Sequence, residues 1–194
     1  MAHVQSGDLR IHYRVEGAGP PLVLAHGFGD SLESWYEYGY VRSLSDDHRL
    51  ILIDARGHGA SDKPLDPAAY GSALMVGDIV SVLDACGVEK SDFYGYSMGG
   101  DTGLEMATLR PERLRSLIAG GASPVGNLTD DVAGRLAAPG KLGEALLQIW
   151  DEQAVISPAL RSRLSANDWA ALSAYGSSPE ERWVAVDDVA STFE

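Results

Sequence analysis

Residues 91–100, Ser91-Asp92-Phe93-Tyr94-Gly95-Tyr96-Ser97-Met98-Gly99-Gly100, decide how this chain is read. The apolar and aromatic residues from Asp92 to Tyr94 predict a strand, and the pattern from Gly100 onward predicts a helix. Between them, Gly95-Tyr96-Ser97-Met98-Gly99 has the Gly-x-Ser-x-Gly spacing of a turn that presents a nucleophilic serine. Such a turn is so tight that side chains at Gly95 and Gly99 would collide with neighbouring backbone. It lifts the serine oxygen clear of the sheet and sets it beside a helix amino terminus, where unpaired amides favour developing negative charge. Ser97 is therefore the candidate nucleophile. The plainer reading of the same residues is a glycine-rich loop with an exposed serine.

On either side of this stretch the chain alternates strand and helix. Leu9 to Val15 reads as a strand after a hairpin turn at Ser6-Gly7-Asp8, and residues 21–28 and 48–59 contain further apolar runs. Residues 114–123 complete the series. Runs this apolar are typical of strands buried on both faces. Helices are expected over 31–45, over 73–86 and over 99–109. In the second, Met75, Ile79, Leu83 and Cys86 fall on one face and Gly87 stops the helix. This order predicts an α/β fold with a mostly parallel sheet covered by helices on both faces.

Beyond Ser123 the pattern changes to short helices. Ser157-Pro158 and Ser178-Pro179 each place a capping residue before a first-turn proline, and Ser178 with Glu181 has capping-box spacing. Leu142, Leu146 and Ile149, then Trp183, Val186, Ala190 and Phe193, make apolar stripes. Two units are expected: a core over 1–123 and a helical cap over 124–194.

Composition narrows the function. The net charge is −13, from 28 acidic and 15 basic residues, which disfavours nucleic acid and anionic membrane surfaces as partners. Cys86 is the only cysteine, so no intramolecular disulfide forms and a reducing, cytoplasmic setting is expected. The first residues lack the apolar core of a signal peptide, and no run approaches the roughly 20 apolar residues that span a bilayer. No Cys/His cluster has zinc spacing. The turn around Ser97 lacks the lysine of a phosphate loop, so neither metal nor cofactor is expected.

Two further clusters bear on chemistry. His26-Gly27-Phe28-Gly29 ends an apolar strand, and acyl transfer needs two amide donors aimed at an oxyanion. Met98, after the nucleophile, supplies one, and Phe28 in this glycine-rich turn can supply the other. Alone, the cluster would read as an ordinary strand-end turn. Asp54-Ala55-Arg56-Gly57-His58-Gly59-Ala60-Ser61-Asp62 reads chiefly as a structural turn with internal hydrogen bonds, though Asp54 and His58 could also be taken as triad members.

Together, in this order and spacing, the three segments resemble the α/β-hydrolase superfamily over residues 9 to about 123. Residues 124–194 resemble its variable cap only loosely. The resemblance implies Ser97 as nucleophile and the Phe28 and Met98 amides as oxyanion hole, with His26, Gly27, Gly95 and Gly99 shaping the turns around them. Haloalkane dehalogenase and epoxide hydrolase branches carry aspartate at this turn. A serine favours esterase, lipase-like, carbon–carbon bond hydrolase or cofactor-free perhydrolase branches, acting on a small-molecule acyl substrate.

The family order is serine, then an acid, then histidine. All five histidines here, His3, His12, His26, His48 and His58, precede Ser97, so triad acid and base have no match. Asp130 and Asp131, where some relatives carry the acid, read as helix-capping residues. Restoring both groups would take roughly 60 residues or more, at about 30 per strand–helix unit, as if the carboxy-terminal part of the fold were lacking. His26 or His58 could serve as a substitute base. The last strand would also be left as an apolar edge, to be covered by a second polypeptide bringing the absent strands, by a homodimer, or by the helices of 124–194 folding back. The alternative to an enzyme is a catalytically incomplete relative acting as a binding or assembly module. Cys86, Trp150, Trp169 and Trp183 read as core residues.

Overall fold

The structure is a computed structural model that describes residues 2–122, 143, 145, 147–149 and 157–178. Six strands form one sheet in the order β1-β2-β4-β3-β5-β6. They are β1 (Ala2–Ser6), β2 (Leu9–Glu16), β3 (Pro21–Ala25), β4 (Arg49–Ile53), β5 (Ser91–Tyr96) and β6 (Leu114–Gly120). β1–β2 and β2–β4 pair antiparallel, whereas β4–β3, β3–β5 and β5–β6 pair parallel. The mostly parallel α/β sheet expected from the alternating elements is thus present.

The apolar runs are explained by burial on both faces. Val23, Ala25, Ile51, Ile53 and Phe93 point into one core with Val76, Ile79, Val82 and Leu83 of helix α3 (Ser72–Ala85) and with Met106 of α4 (Met98–Leu109). Leu24, Leu50 and Leu52 point the other way, against Leu32, Trp35 and Val41. Period-2 alternation therefore separates two cores rather than core from solvent. Each fully buried side chain of β4 contributes about 1.5–3 kcal/mol of transfer free energy.

Residues 31–45 form two short helices, α1 (Glu33–Glu37) and α2 (Tyr40–Leu44), in place of the single helix expected. The break is at Gly39, whose φ of 82° ends the first helix and caps the second. Trp35 and Val41 still reach one core from both pieces. The Ser157-Pro158 start signal is borne out: helix α5 (Pro158–Ser165) begins there, with the Leu160 amide donating to Ser157 Oγ at 3.1 Å. Helix α6 (Trp169–Gly176) follows, capped by Asp168. The expected boundary at 123, the Ser178-Pro179 cap, the stripe from Trp183 to Phe193, Leu142, Leu146, Trp150, Asp130 and Asp131 fall wholly or partly outside the described residues.

Among the described residues β6 is an edge strand, paired only with β5. Its Leu117 packs toward the α3–α4 core while Ile118, on the opposite face, is 61% exposed. Helices α5 and α6 do not fold back over it. Their contacts run to the loop after β3 and to the 3-10 turn Pro67–Tyr70.

Candidate active site

The parallel register of β3 and β5 sets Ala25 opposite Gly95, so the turns that follow the two strands meet. A Cβ on Gly27 would lie 3.5 Å from the Ser97 Cβ. Ser97 is the only non-glycine residue with positive φ among the described residues, at φ 50° and ψ −120°. A conformation of this kind costs about 1–3 kcal/mol and persists only where its surroundings enforce it. Here the Ser97 amide donates to Gly120 O of β6 at 2.7 Å, and the Asp101 amide donates to Ser97 O at 2.9 Å. A Cβ at Gly95 would run into the Gly99 carbonyl, and one at Gly99 into the Ala25 carbonyl. Both glycines are therefore required by close approach, as the spacing predicts.

Ser97 is half-buried at the amino terminus of α4, and its hydroxyl makes no hydrogen bond among the described residues. The Met98 amide occupies the first helical position, where an N–H has no partner within the helix. The Phe28 amide likewise donates to no described residue. Its orientation follows from the other end of the same peptide unit. Gly27 O accepts from His26 Nδ1 at 2.8 Å and from the Asp30 amide at 3.2 Å. A trans peptide points N–H and C=O in opposite directions, so tying down the Gly27 carbonyl turns the Phe28 N–H away from it.

This gives His26 a role in holding the turn. Its Nδ1–H donates to Gly27 O, and its Nε2 accepts from the Ala55 amide at 3.2 Å. With both ring nitrogens engaged, His26 has none left for Ser97. His58 is completely buried and its Nδ1–H donates to Arg56 O at 3.0 Å. Burial pushes its pKa down to about 3, which makes it a poor base near neutrality. No histidine hydrogen-bonds Ser97 among the described residues. The idea of either as a substitute base is corrected by these partners.

Asp54 is a structural hub. Its carboxylate accepts from the Leu32 amide, the Ala60 amide and His12 Nδ1, at 2.8, 2.8 and 2.7 Å. Burial opposes its charge, but the hydrogen bond from His12 and those from the Leu32 and Ala60 amides together hold the carboxyl below its ordinary range. It thereby ties the loop after β3 to the loop after β4 and to β2. Beside it, Arg56 forms a buried two-point ion pair with Asp78 of α3 at 2.7 Å. The residues 54–62 serve as the structural turn expected of them, and Asp54 and His58 are not arranged as triad members. Cys86 is half-buried beyond the end of α3, with its thiol pKa raised by burial.

Sequence reasoning missed the contacts that reach this site from α5 and α6. Asn167 Nδ2 donates to Gly29 O at 2.6 Å, Arg163 Nε donates to Asp30 Oδ1 at 2.9 Å, and Arg163 also pairs with Glu37. The Tyr175 ring lies 5.2 Å from that of Phe28. Separations of 133 and 138 residues leave no local signal.

Residues 20–147 match the sequence profile of the alpha/beta hydrolase fold. A 2-hydroxymuconate semialdehyde hydrolase of Pseudomonas sp. (strain CF600) is 36% identical over 121 residues, 62% of this chain and 42% of the relative. Epoxide hydrolase 3 of Siraitia grosvenorii is 32% identical over 116 residues, 59% of this chain and 36% of the relative. The chain thus spans less than half the length of these curated relatives. Among solved structures, the esterase RhEst1 from Rhodococcus sp. ECU1013 superposes with a TM-score of 0.74 at 28% identity, covering 90% of this chain and 71% of that one.

Proposed function

Because the chain belongs to the α/β-hydrolase fold family, we propose that it carries the nucleophile half of a serine hydrolase acting on a carboxylic ester or related small acyl substrate. The observation that carries this reading is the strained Ser97, held at a helix amino terminus beside two amides that have no partner among the described residues. Ser97 Oγ attacks the substrate carbonyl carbon as a base removes its proton. The carbonyl electron pair moves to oxygen, and the oxyanion accepts from the Phe28 and Met98 amides. Collapse breaks the bond to the leaving oxygen, which takes the proton back from the base and departs as the neutral alcohol. Water, giving its proton to the base, then attacks the acyl carbon, and Ser97 Oγ leaves and is reprotonated as the acid is released. The likeness to an esterase supports this assignment, and the serine separates this chain from the aspartate chemistry expected of epoxide hydrolases. A small void of about 20 Å³ beside Met98, also walled by Ala25, His26 and Thr102, has room for about one water. We place the protein in the cytoplasm.

In this proposal the base is a histidine supplied by a further segment, and β6, which pairs with nothing but β5 among the described residues, is its point of entry. Strands lie about 4.8 Å apart, so a strand added to β6 would end about 10 Å from β5. A loop after such a strand reaches Ser97 easily. The same addition would cover the exposed edge, whether it comes from a second polypeptide or from another copy. The second reading, a non-catalytic binding or assembly module, is favoured by the lack of any histidine bonded to Ser97 among the described residues.

Mass spectrometry after incubation with a short-chain p-nitrophenyl ester separates the two. An acyl adduct on Ser97, lost in Ser97→Ala, supports the hydrolase reading. No adduct from the wild-type chain, even at high pH where serine attack needs less assistance, leaves only the module.

A further inference from the structure

We infer that Asn167 and Arg163, on the segment that caps the site, are positioning residues for the Phe28 oxyanion donor; the inference rests on the hydrolase reading above. The donor sits in the four-residue turn Gly27–Asp30, closed by the Asp30 amide on Gly27 O. One end of this turn is fixed from the core by His26 on Gly27 O. The other end is fixed from the cap. Asn167 holds the Gly29 carbonyl, and Arg163 holds Asp30 Oδ1, which also accepts from the Ser31 amide at 2.8 Å. The peptide carrying the Phe28 N–H is held directly by the first clamp, through Gly27 O, and is braced along the turn by the second.

The contacts are built for each other. Gly29 adopts φ +75°, a conformation that favours glycine, and a Cβ there would come 3.1 Å from the Leu164 side chain. Leu164 itself is completely buried. The Arg163 and Asp30 side chains are 18% and 15% exposed, so their pairing is less screened than a surface ion pair. Tyr175 adds a ring contact on Phe28. Docking of α5 and α6 and the geometry of the turn therefore move together. By linkage, a ligand that needs the oxyanion donor tightens the clamp as much as the clamp tightens the ligand. In the proposed reaction this makes the cap a means of assembling the site, as well as a wall of the pocket.

The test compares two ligands and one backbone amide in the wild-type chain, Asn167→Ala and Arg163→Met. A trifluoromethyl ketone adds to Ser97 and carries an oxyanion, whereas the matching secondary alcohol fills the same space and forms none. Each variant is expected to lose about tenfold in ketone affinity by ¹⁹F NMR, below the hundredfold or more that outright removal of a donor costs. Alcohol affinity should stay within about twofold, since the alcohol makes no demand on the donor. Separately, hydrogen exchange at the Asp30 amide should rise about tenfold, the worth of one hydrogen bond, while the Val82 and Leu83 amides of α3 keep their rates. Equal losses for ketone and alcohol, an unchanged Asp30 amide, or a uniform rise at all three amides would overturn the proposal. Failure of the wild-type chain to form the ketone adduct would instead sink the Ser97 reading, and the Asp30 amide would still decide the clamp.

Discussion

His58 makes stability depend on pH in a window where few other groups titrate. An unfolded histidine has a pKa near 6.5, whereas burial pushes His58 down to about 3 in the folded chain. Between these values the unfolded state binds a proton that the folded state refuses, so stability falls as pH falls. It is complete above about pH 6.5 and declines by about 1.4 kcal/mol per pH unit until the folded pKa is reached. From pH 7.5 to pH 5 the loss is about 2 kcal/mol, and over the whole window it approaches about 5 kcal/mol, a large share of a typical folding free energy. The carboxylates held low in the fold, Asp54, Asp62 and Glu37, obey the depressed-acid rule. Their contribution is present above the unfolded value near 4 and is lost only below it, outside the interval from pH 7.5 to 5. Urea unfolding at half-unit steps, followed by tryptophan fluorescence, gives the slope. His58→Asn keeps a donor for Arg56 O and has no proton to gain. It should start less stable but lose about 2 kcal/mol less over the same interval. Parallel pH curves for the two proteins would refute the argument.

Three other outcomes follow from packing and strain. Gly99→Ala forces a methyl into the Ala25 carbonyl and should cost more than about 3 kcal/mol, read as loss of soluble protein or of the urea midpoint. Arg56→Met leaves Asp78 buried without its ion-pair partner and should cost about 3–5 kcal/mol. Arg56→Met combined with Asp78→Leu should recover much of that loss, measured in the same titration. Ser97→Gly relieves the positive φ at the turn and should raise stability by about 1 kcal/mol while abolishing any Ser97 adduct; an unchanged or lower midpoint would mean the turn is not strained.

What could be read from the sequence divides along a physical line. β3, β4 and β5 are legible because a strand buried on both faces must be apolar throughout, and the glycines at 95 and 99 are legible because backbone contact admits nothing else. The single helix over 31–45 was misread because periodicity records which residues face a core, and Trp35 and Val41 do so on both sides of a break at Gly39. Polar pairs leave no such trace. His12–Asp54, Arg56–Asp78 and Arg163–Asp30 join residues 42, 22 and 133 positions apart, and each partner alone looks like an ordinary charged or aromatic residue. The role of His26 lay partly in view, since a histidine before a glycine turn can bond its own neighbour's carbonyl. That its second nitrogen is also taken depends on Ala55, on the adjacent strand's loop.

These pairings also explain why the Ser97 turn and the Phe28 turn hold their geometry with no histidine bonded to Ser97 among the described residues. Ser97 is braced by Gly120 on one side, and the Phe28 turn by His26 and Asp54 from within and by Arg163 of α5 and Asn167 just beyond it. None of these braces involves a proton acceptor for Ser97. Of these braces only the Gly120 one belongs to β6, the edge strand among the described residues, where a hydrogen bond is exposed to whatever pairs with that strand. Anything that orders β6 should therefore stiffen the turn at Ser97 first and the Phe28 turn least. The two halves of the site are held by different parts of the fold, and they should respond separately when either part is disturbed.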